Sequence, residues 1–234
     1  TMKEELLLPH NPPEARYGHS AVVVRNLHGM KENEPIILIF GGISRKKKYL
    51  NDICFYNPIA NKWSYHSSSR SGPGPRAFHS ASVFTIANKN VMYIYGGEDK
   101  GEYLSDFYSL DLSTLHWRQI SFNQLDKRAG HRSIVIGDDL IIIGGINNSI
   151  SFMLKPLIVH TEDETAVLEC VSGLNDPPIL KNFGIAAANG SIFLFTGERY
   201  NGKYTSNTIY RVQPPSIVDM NQARYISDNM KFNN

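Results

Sequence analysis

Three histidines stand in matching settings: Arg16-Tyr17-Gly18-His19, Arg76-Ala77-Phe78-His79 and Arg128-Ala129-Gly130-His131. Imidazoles gathered in threes hold zinc or copper, so a metal shell is the first chemistry to weigh. The repetition argues against it, because a residue that returns once per unit serves the unit. Arg16, Arg76 and Arg128 read the same way, as side chains that pair or cap within each unit. The glycine pairs 41-42, 96-97 and 144-145 suggest a phosphate cradle. Each follows an apolar run with no helix and no Lys-Ser/Thr behind it, so neither nucleotide fingerprint is met. The chain contains no Gly-x-Ser-x-Gly elbow, His-Glu-x-x-His helix or Cys-x-x-Cys pair. Cys54 and Cys170 are the only cysteines, too few for a disulfide scaffold or a Cys-rich metal site. No catalytic residue, metal ligand or cofactor is assigned.

Charge gives a second kind of candidate. Arg45-Lys46-Lys47-Lys48-Tyr49 is a compact basic run, and Glu98, Asp99 and Glu102 form an acidic one. Four neighbouring cations suit an acidic peptide or a phosphate. Across all 234 residues the balance is 24 Lys+Arg against 22 Asp+Glu, a net charge of +2, which sets nucleic acid and anionic membranes aside. With 41% hydrophobic and 20% charged residues and no apolar run near membrane-spanning length, the composition is that of a soluble globular protein. Glu4-Glu5-Leu6-Leu7-Leu8 is too short and acidic for a signal peptide. The expected location is cytoplasmic, with the nucleus as the second choice.

The elements that carry these residues come from an internal repeat. Apolar runs end in glycine at Ile36-Gly42, Val91-Gly97, Leu140-Gly145 and Ile192-Gly197, with steps of 55, 48 and 52 residues. After the first two glycine pairs, Asp52 matches Asp106, Asn57 matches Asp111 and Trp63 matches Trp117, all 54 apart. Each unit therefore predicts four strands: an alternating one, a wholly apolar one ending in Gly-Gly, one after the Asp, and one carrying the Trp. A strand apolar on both faces must be covered on both, which a radial stack of four-stranded blades achieves. The fold class is all-β.

The Arg-x-x-His-Ser lead, the double glycine, the Asp of the third strand and the following Trp resemble kelch repeats over about residues 11–213. The resemblance implies a β-propeller of four-stranded antiparallel blades at about 16–68, 76–122, 128–173 and 182–213. The propeller spans 1–213, and 214–234 is a polar tail or the start of a further repeat. In blade four the lead is aligned as Asn182-Phe183-Gly184-Ile185, with Ile185 at the histidine position and Thr196 at the first glycine. An N-terminal strand at 4–9 pairs with the last blade and closes the ring. The resemblance also makes the histidines structural, while Trp63 and Trp117 read most simply as packing between blades.

Kelch propellers serve as interaction modules in adaptors, scaffolds and regulatory domains, so the expected function is non-catalytic binding of a protein segment, acidic or phosphorylated. Binding is expected on the face where the post-glycine loops and the inter-blade loops emerge. The candidate partner-binding residues are Arg45, Lys46, Lys47, Lys48, Tyr49, Arg70, Tyr103, Tyr200 and Tyr204, since Tyr and Arg are enriched at binding hot spots. The alternative is a small-molecule- or metal-using enzyme at the channel mouth, which would bring Cys54 or Cys170 to an open channel.

Overall fold

The computed structural model describes residues 9–25, 27, 34–66, 71–86, 89–121, 126–137, 139–147, 157–160, 165–167, 180–199 and 204–212. Among these residues every regular element is a strand. Blade one runs Ser20–Val24, Ile36–Ser44, Tyr49–Asn57 and Lys62–His66, each antiparallel to the next. Blade two repeats the order with Ser80–Ile86, Lys89–Tyr95, Phe107–Asp111 and His116–Ile120. Blade three follows with Arg132–Ile136, Asp139–Ile143, Leu157–His160 and Thr165–Val167. Blade four shows Gly184–Ala188, Ser191–Arg199 and Tyr204–Val212. Blades one to three thus show the four antiparallel strands expected of a β-propeller blade, and blade four shows three among the described residues.

The wholly apolar second strand behaves as its composition requires. In blade two, Met92 and Ile94 join Leu38, Phe40 and Ile53 of blade one, while Tyr93 and Tyr95 join Leu140 and Ile142 of blade three. A third cluster joins Ile141 and Ile143 of blade three to Ile192 and Leu194 of blade four. Each such side chain contributes roughly 1.5–3 kcal/mol by leaving water, so most of the apolar stabilisation lies between blades. The first strands pack in sequence, Ser20–Val24 on Ser80–Ile86, that strand on Arg132–Ile136, and that in turn on Gly184–Ala188. They form the inner wall about the propeller axis.

Turn chemistry fixes the outer hairpins. The Asn57 carboxamide accepts the amides of Ile59 and Ala60 at 2.9 Å. Asp111, its equivalent, accepts those of Ser113 at 2.8 Å and Thr114 at 3.3 Å. These Asx turns reverse the chain between third and fourth strands. The connection between first and second strands is long in blade one, where Val24 pairs with Ile36, and short in the others, where Ile86 pairs with Lys89, Ile136 with Asp139 and Ala188 with Ser191.

The pairing register corrects the alignment of blade four. Gly184 pairs with Phe195 as Ser80 pairs with Tyr95 and Ser20 with Phe40. Phe183, not Ile185, therefore occupies the histidine position, and Leu180 stands where the arginine does elsewhere. Lys181 pairs with Glu198 just as Ala77 pairs with Glu98, which fixes the same two-residue shift independently.

The proposed N-terminal strand falls on residues outside those described except for Pro9, and the tail 214–234 lies wholly outside them. His10 runs parallel to Lys62, with the Trp63 amide donating to the His10 carbonyl at 3.4 Å, along the outer strand of blade one. No helix among the described residues is long and apolar enough to cross a membrane.

Candidate functional site

The lead segments, the double glycines and the loops after them meet on one face. Each first strand begins opposite the end of its second strand, so residues 16–19, 76–79, 128–131 and 180–183 surround the same mouth of the axis. Their third members hydrogen-bond in succession. Phe78 donates its amide to the Gly18 carbonyl at 2.7 Å, Gly130 to Phe78 at 2.8 Å and Asn182 to Gly130 at 2.9 Å. All four take a left-handed backbone, with φ of 66°, 55°, 71° and 55°. Glycine does this freely and Asn with little strain, whereas an aromatic residue rarely does. Phe78 is thus held at the mouth against its own preference, with its ring edge-on to Tyr17 at 6.2 Å.

Behind the mouth, each arginine clamps its blade. The Arg76 guanidinium donates to both oxygens of Asp106, at 2.6 and 2.7 Å, and to the Gly96 carbonyl at 3.0 Å. Arg16 does the same with Asp52, at 2.6 and 3.0 Å, and with Gly41 at 3.1 Å. Burial alone would push the Asp52 carboxyl up, but the hydrogen bonds and charge of Arg16 outweigh it and hold the pKa below the usual carboxylate value. In blade three Arg128 turns to Asp126, two residues before it, at 3.3 Å, and to the Gly144 carbonyl at 3.4 Å. The sequence-based assignment of these arginines to pairing within blades is what the geometry shows.

The histidines link neighbouring blades. His79 is buried against Phe40 of blade one at 5.4 Å, with Nε2 2.8 Å from the Ser20 hydroxyl. His131 lies against Tyr95 of blade two at 5.1 Å and donates Nε2–H to the Tyr95 carbonyl at 3.1 Å. Burial, reinforced by Arg76, lowers the His79 pKa to about 3, and burial followed by Arg128 pushes His131 well below its ordinary value. Both are neutral at pH 7. Among the described residues no group of three His, Cys, Asp or Glu is placed to hold a metal ion. Cys54 is buried in the third strand of blade one, and burial, with Asp52 beside it, raises its thiol to about 12. Cys170 lies outside the described residues.

The loop candidates separate into groups. Arg45, Lys46, Lys47 and Lys48 are exposed at the tip of the hairpin that follows Gly41-Gly42. Lys47 is left-handed at φ 60°, its amide donates to Ser44 at 2.8 Å, and the Ser44 amide donates to Lys48 at 2.9 Å. The Arg45 amide ties the tip to Ala15 at 3.1 Å. Tyr49 is half-buried and donates its hydroxyl to Glu98 of blade two at 2.9 Å; burial first, then Glu98, raises its pKa to about 12. That tyrosine joins the basic loop to the acidic one. Tyr103 is half-buried and paired with Glu98 in the short hairpin of Glu98–Asp99 and Glu102–Tyr103. Arg70 and Tyr200 lie outside the described residues, as does the side chain of Tyr204, whose backbone pairs with Glu198.

The sequence reading passed over two residues at this mouth. One is Phe78, whose backbone conformation no composition rule reveals. The other is Arg132, which replaces the serine that follows the histidine in blades one and two. It donates to the carbonyls of Phe183 at 2.9 Å and His131 at 3.2 Å, and burial lowers its pKa. Its departure from the repeat was the available signal.

A four-stranded repeat, stacked radially and presenting loops around one mouth, defines a propeller of the binding-module class. The chain belongs to the kelch-repeat family: residues 3–197 match the family model described as the KLHDC2/KLHL20/DRC7 Kelch-repeats domain. Acyl-CoA-binding domain-containing protein 4 of Arabidopsis thaliana is 27% identical over 210 residues, 87% of this chain and 29% of that protein. Host cell factor homolog hcf-1 of Caenorhabditis elegans is 30% identical over 69% of this chain and 21% of its own length. Kelch domain-containing protein 3 of Rattus norvegicus is 26% identical over 88% of this chain and 53% of its own length. The chain thus spans about a fifth to a half of these relatives. Kelch repeats are generally protein-interaction modules.

Proposed function

We propose that this propeller is a non-catalytic module that holds an acidic or phosphorylated segment of a partner protein on its mouth face. The observation that carries the reading is the exposed Arg45–Lys48 tip on the same face as Tyr17, Phe78 and Arg132. Cations on a hairpin tip attract the segment, and aromatic groups at the mouth give it apolar contact. Tyr49 and Tyr103 hold the neighbouring hairpins rather than standing free of them, so their share in binding is to position the tip. Arg70, Tyr200 and Tyr204 belong to the same proposed rim. The proposed setting is the cytoplasm, in an adaptor or scaffold role.

The test compares the intact protein with a variant in which Arg45, Lys46, Lys47 and Lys48 are all serine. Both are applied to an array of acidic, phosphorylated and neutral peptides and used to capture partners from extract. The variant is expected to fold normally, because the four side chains are exposed, and to lose the acidic and phosphorylated peptides about tenfold or more, with the intact protein's binding weakening as salt rises. Equal binding by both proteins would overturn the reading and move attention to the opposite face.

A further inference from the structure

The first residue of the first strand is Ser20 in blade one, Ser80 in blade two, Arg132 in blade three and Gly184 in blade four. The Ser20 hydroxyl meets His79 of the next lead at 2.8 Å, a contact between neutral groups. Arg132 spans the corresponding gap with a charged one. It donates Nε–H to the Phe183 carbonyl of blade four at 2.9 Å and Nη1–H to the His131 carbonyl of its own blade at 3.2 Å. Both acceptors belong to fourth residues of their leads, so the guanidinium is fixed at the mouth in one orientation. These contacts occupy part of its N–H fork, and the rest has no acceptor among the described residues.

Neither acceptor carries a charge, and no carboxylate among the described residues pairs with this side chain. Asp52 pairs with Arg16, Asp106 with Arg76, Asp126 with Arg128 and Glu198 with Lys181. Arg132 is nonetheless half-buried, and burial lowers its pKa. Its charge reaches the neighbouring leads: at His79 and His131, where burial acts first and the clamp arginine of the same lead next, Arg132 adds a smaller share to the lowered pKa. A guanidinium stays protonated in such a setting, and a partly desolvated charge without a counter-charge is costly to keep. Joining two carbonyls does not call for that charge, whereas receiving an anion does.

We infer that Arg132 anchors a carboxylate subsite in the mouth, which takes one aspartate or glutamate side chain of the bound segment. The inference rests on the reading that this face holds an acidic segment, and it divides the face in two. The tip at residues 45–48 is exposed; it attracts by charge, does not fix position, and is screened by salt. Arg132 offers a single charge on a rigid fork, which matches a carboxylate in both geometry and charge. It therefore sets which residue of the segment sits at the axis. A phosphate group, with about −1.5 to −2 charges at pH 7, finds its match among the clustered cations of the tip instead.

The experiment follows the Arg132 Nε–H signal of the intact protein by heteronuclear NMR. The signal is identified by its absence in Arg132→Ser, which restores the residue of blades one and two, or in Arg132→Lys should the serine variant melt early. Sodium acetate is titrated against sodium chloride at equal ionic strength. The signal is expected to shift saturably with acetate and not with chloride, and to do so equally in the variant with serine at 45–48, so that this arm does not depend on the tip. No saturable shift with acetate overturns the inference, as does a shift with inorganic phosphate alone. The second arm takes a peptide retained by the intact protein and changes each Asp or Glu in turn to its amide. One position is expected to cost about tenfold in the intact protein and nothing in Arg132→Ser, where the other positions keep their effects. An Arg132 that served the fold alone would weaken every position alike, and that result overturns the inference while leaving the role of the tip standing. An array that retains no peptide fails the earlier reading, and the acetate titration then decides on Arg132 by itself.

Discussion

A guanidinium loses its hydration when buried, and what replaces that hydration decides how much a substitution costs. Arg76 is sealed and meets both oxygens of Asp106, whereas Arg128, equally sealed, meets the half-exposed Asp126 through one nitrogen at 3.3 Å and the Gly144 carbonyl at 3.4 Å. Asp106→Ala strands a buried cation and is expected to destabilise by about 3 kcal/mol or more. Asp126→Ala removes a contact screened by water, at about 1 kcal/mol or less. Urea denaturation of the two variants side by side checks the contrast. The buried histidines set the response to acid. In the folded protein His79 sits at about 3, against an ordinary value of 6.5, so the unfolded chain takes up its proton first. Stability is therefore whole above about pH 6.5 and declines as pH falls from there. Blade four already carries Phe183 at this position, buried. His79→Phe is accordingly expected to narrow the difference in melting temperature between about pH 7.5 and about pH 5, with the remainder due to His131 and, at lower pH, to Asp52.

The second strand, with its terminal glycines, determines how one blade meets the next. A Cβ on Gly97 would lie 2.6 Å from the Ala77 carbonyl and 2.9 Å from His79 Cβ, at a φ of 96° that side chains rarely adopt. Gly97→Ala is expected to destabilise by at least about 2 kcal/mol. Gly101→Ala, with φ 90° but open space around it, carries the backbone strain alone and serves as the comparison in the same melt. Such elements were legible in the sequence because several constraints recur together: the arginine, the histidine, the glycine pair and the aspartate all report one strand arrangement. Legibility failed where the constraints relax. In blade four the register puts Leu180 and Thr208 where Arg76 and Asp106 pair. With both charges gone, Gly184 was the remaining landmark and drew the alignment off by two. Arg132 was passed over because a departure from a repeat reads as decay. Phe78 was missed because its significance lies in a dihedral angle, and Tyr49 counted as a free anchor because its bond to Glu98 crosses between blades.

At the scale of the molecule, stability is a sum over junctions between neighbouring blades, as in other repeat architectures. The unequal hairpins between first and second strands have a different consequence. Val24 and Ile36 are bridged by a far longer stretch of chain than Ile86 and Lys89, Ile136 and Asp139 or Ala188 and Ser191, yet the left-handed residues at the opposite end of those strands keep their stepwise bonding. Length has accumulated at one end of the propeller while the other has held its geometry. The protein therefore has a face on which insertions are tolerated and a face on which they are not, so a reporter peptide or a second recognition sequence belongs in the hairpin around Gly137, away from the surface where a partner docks.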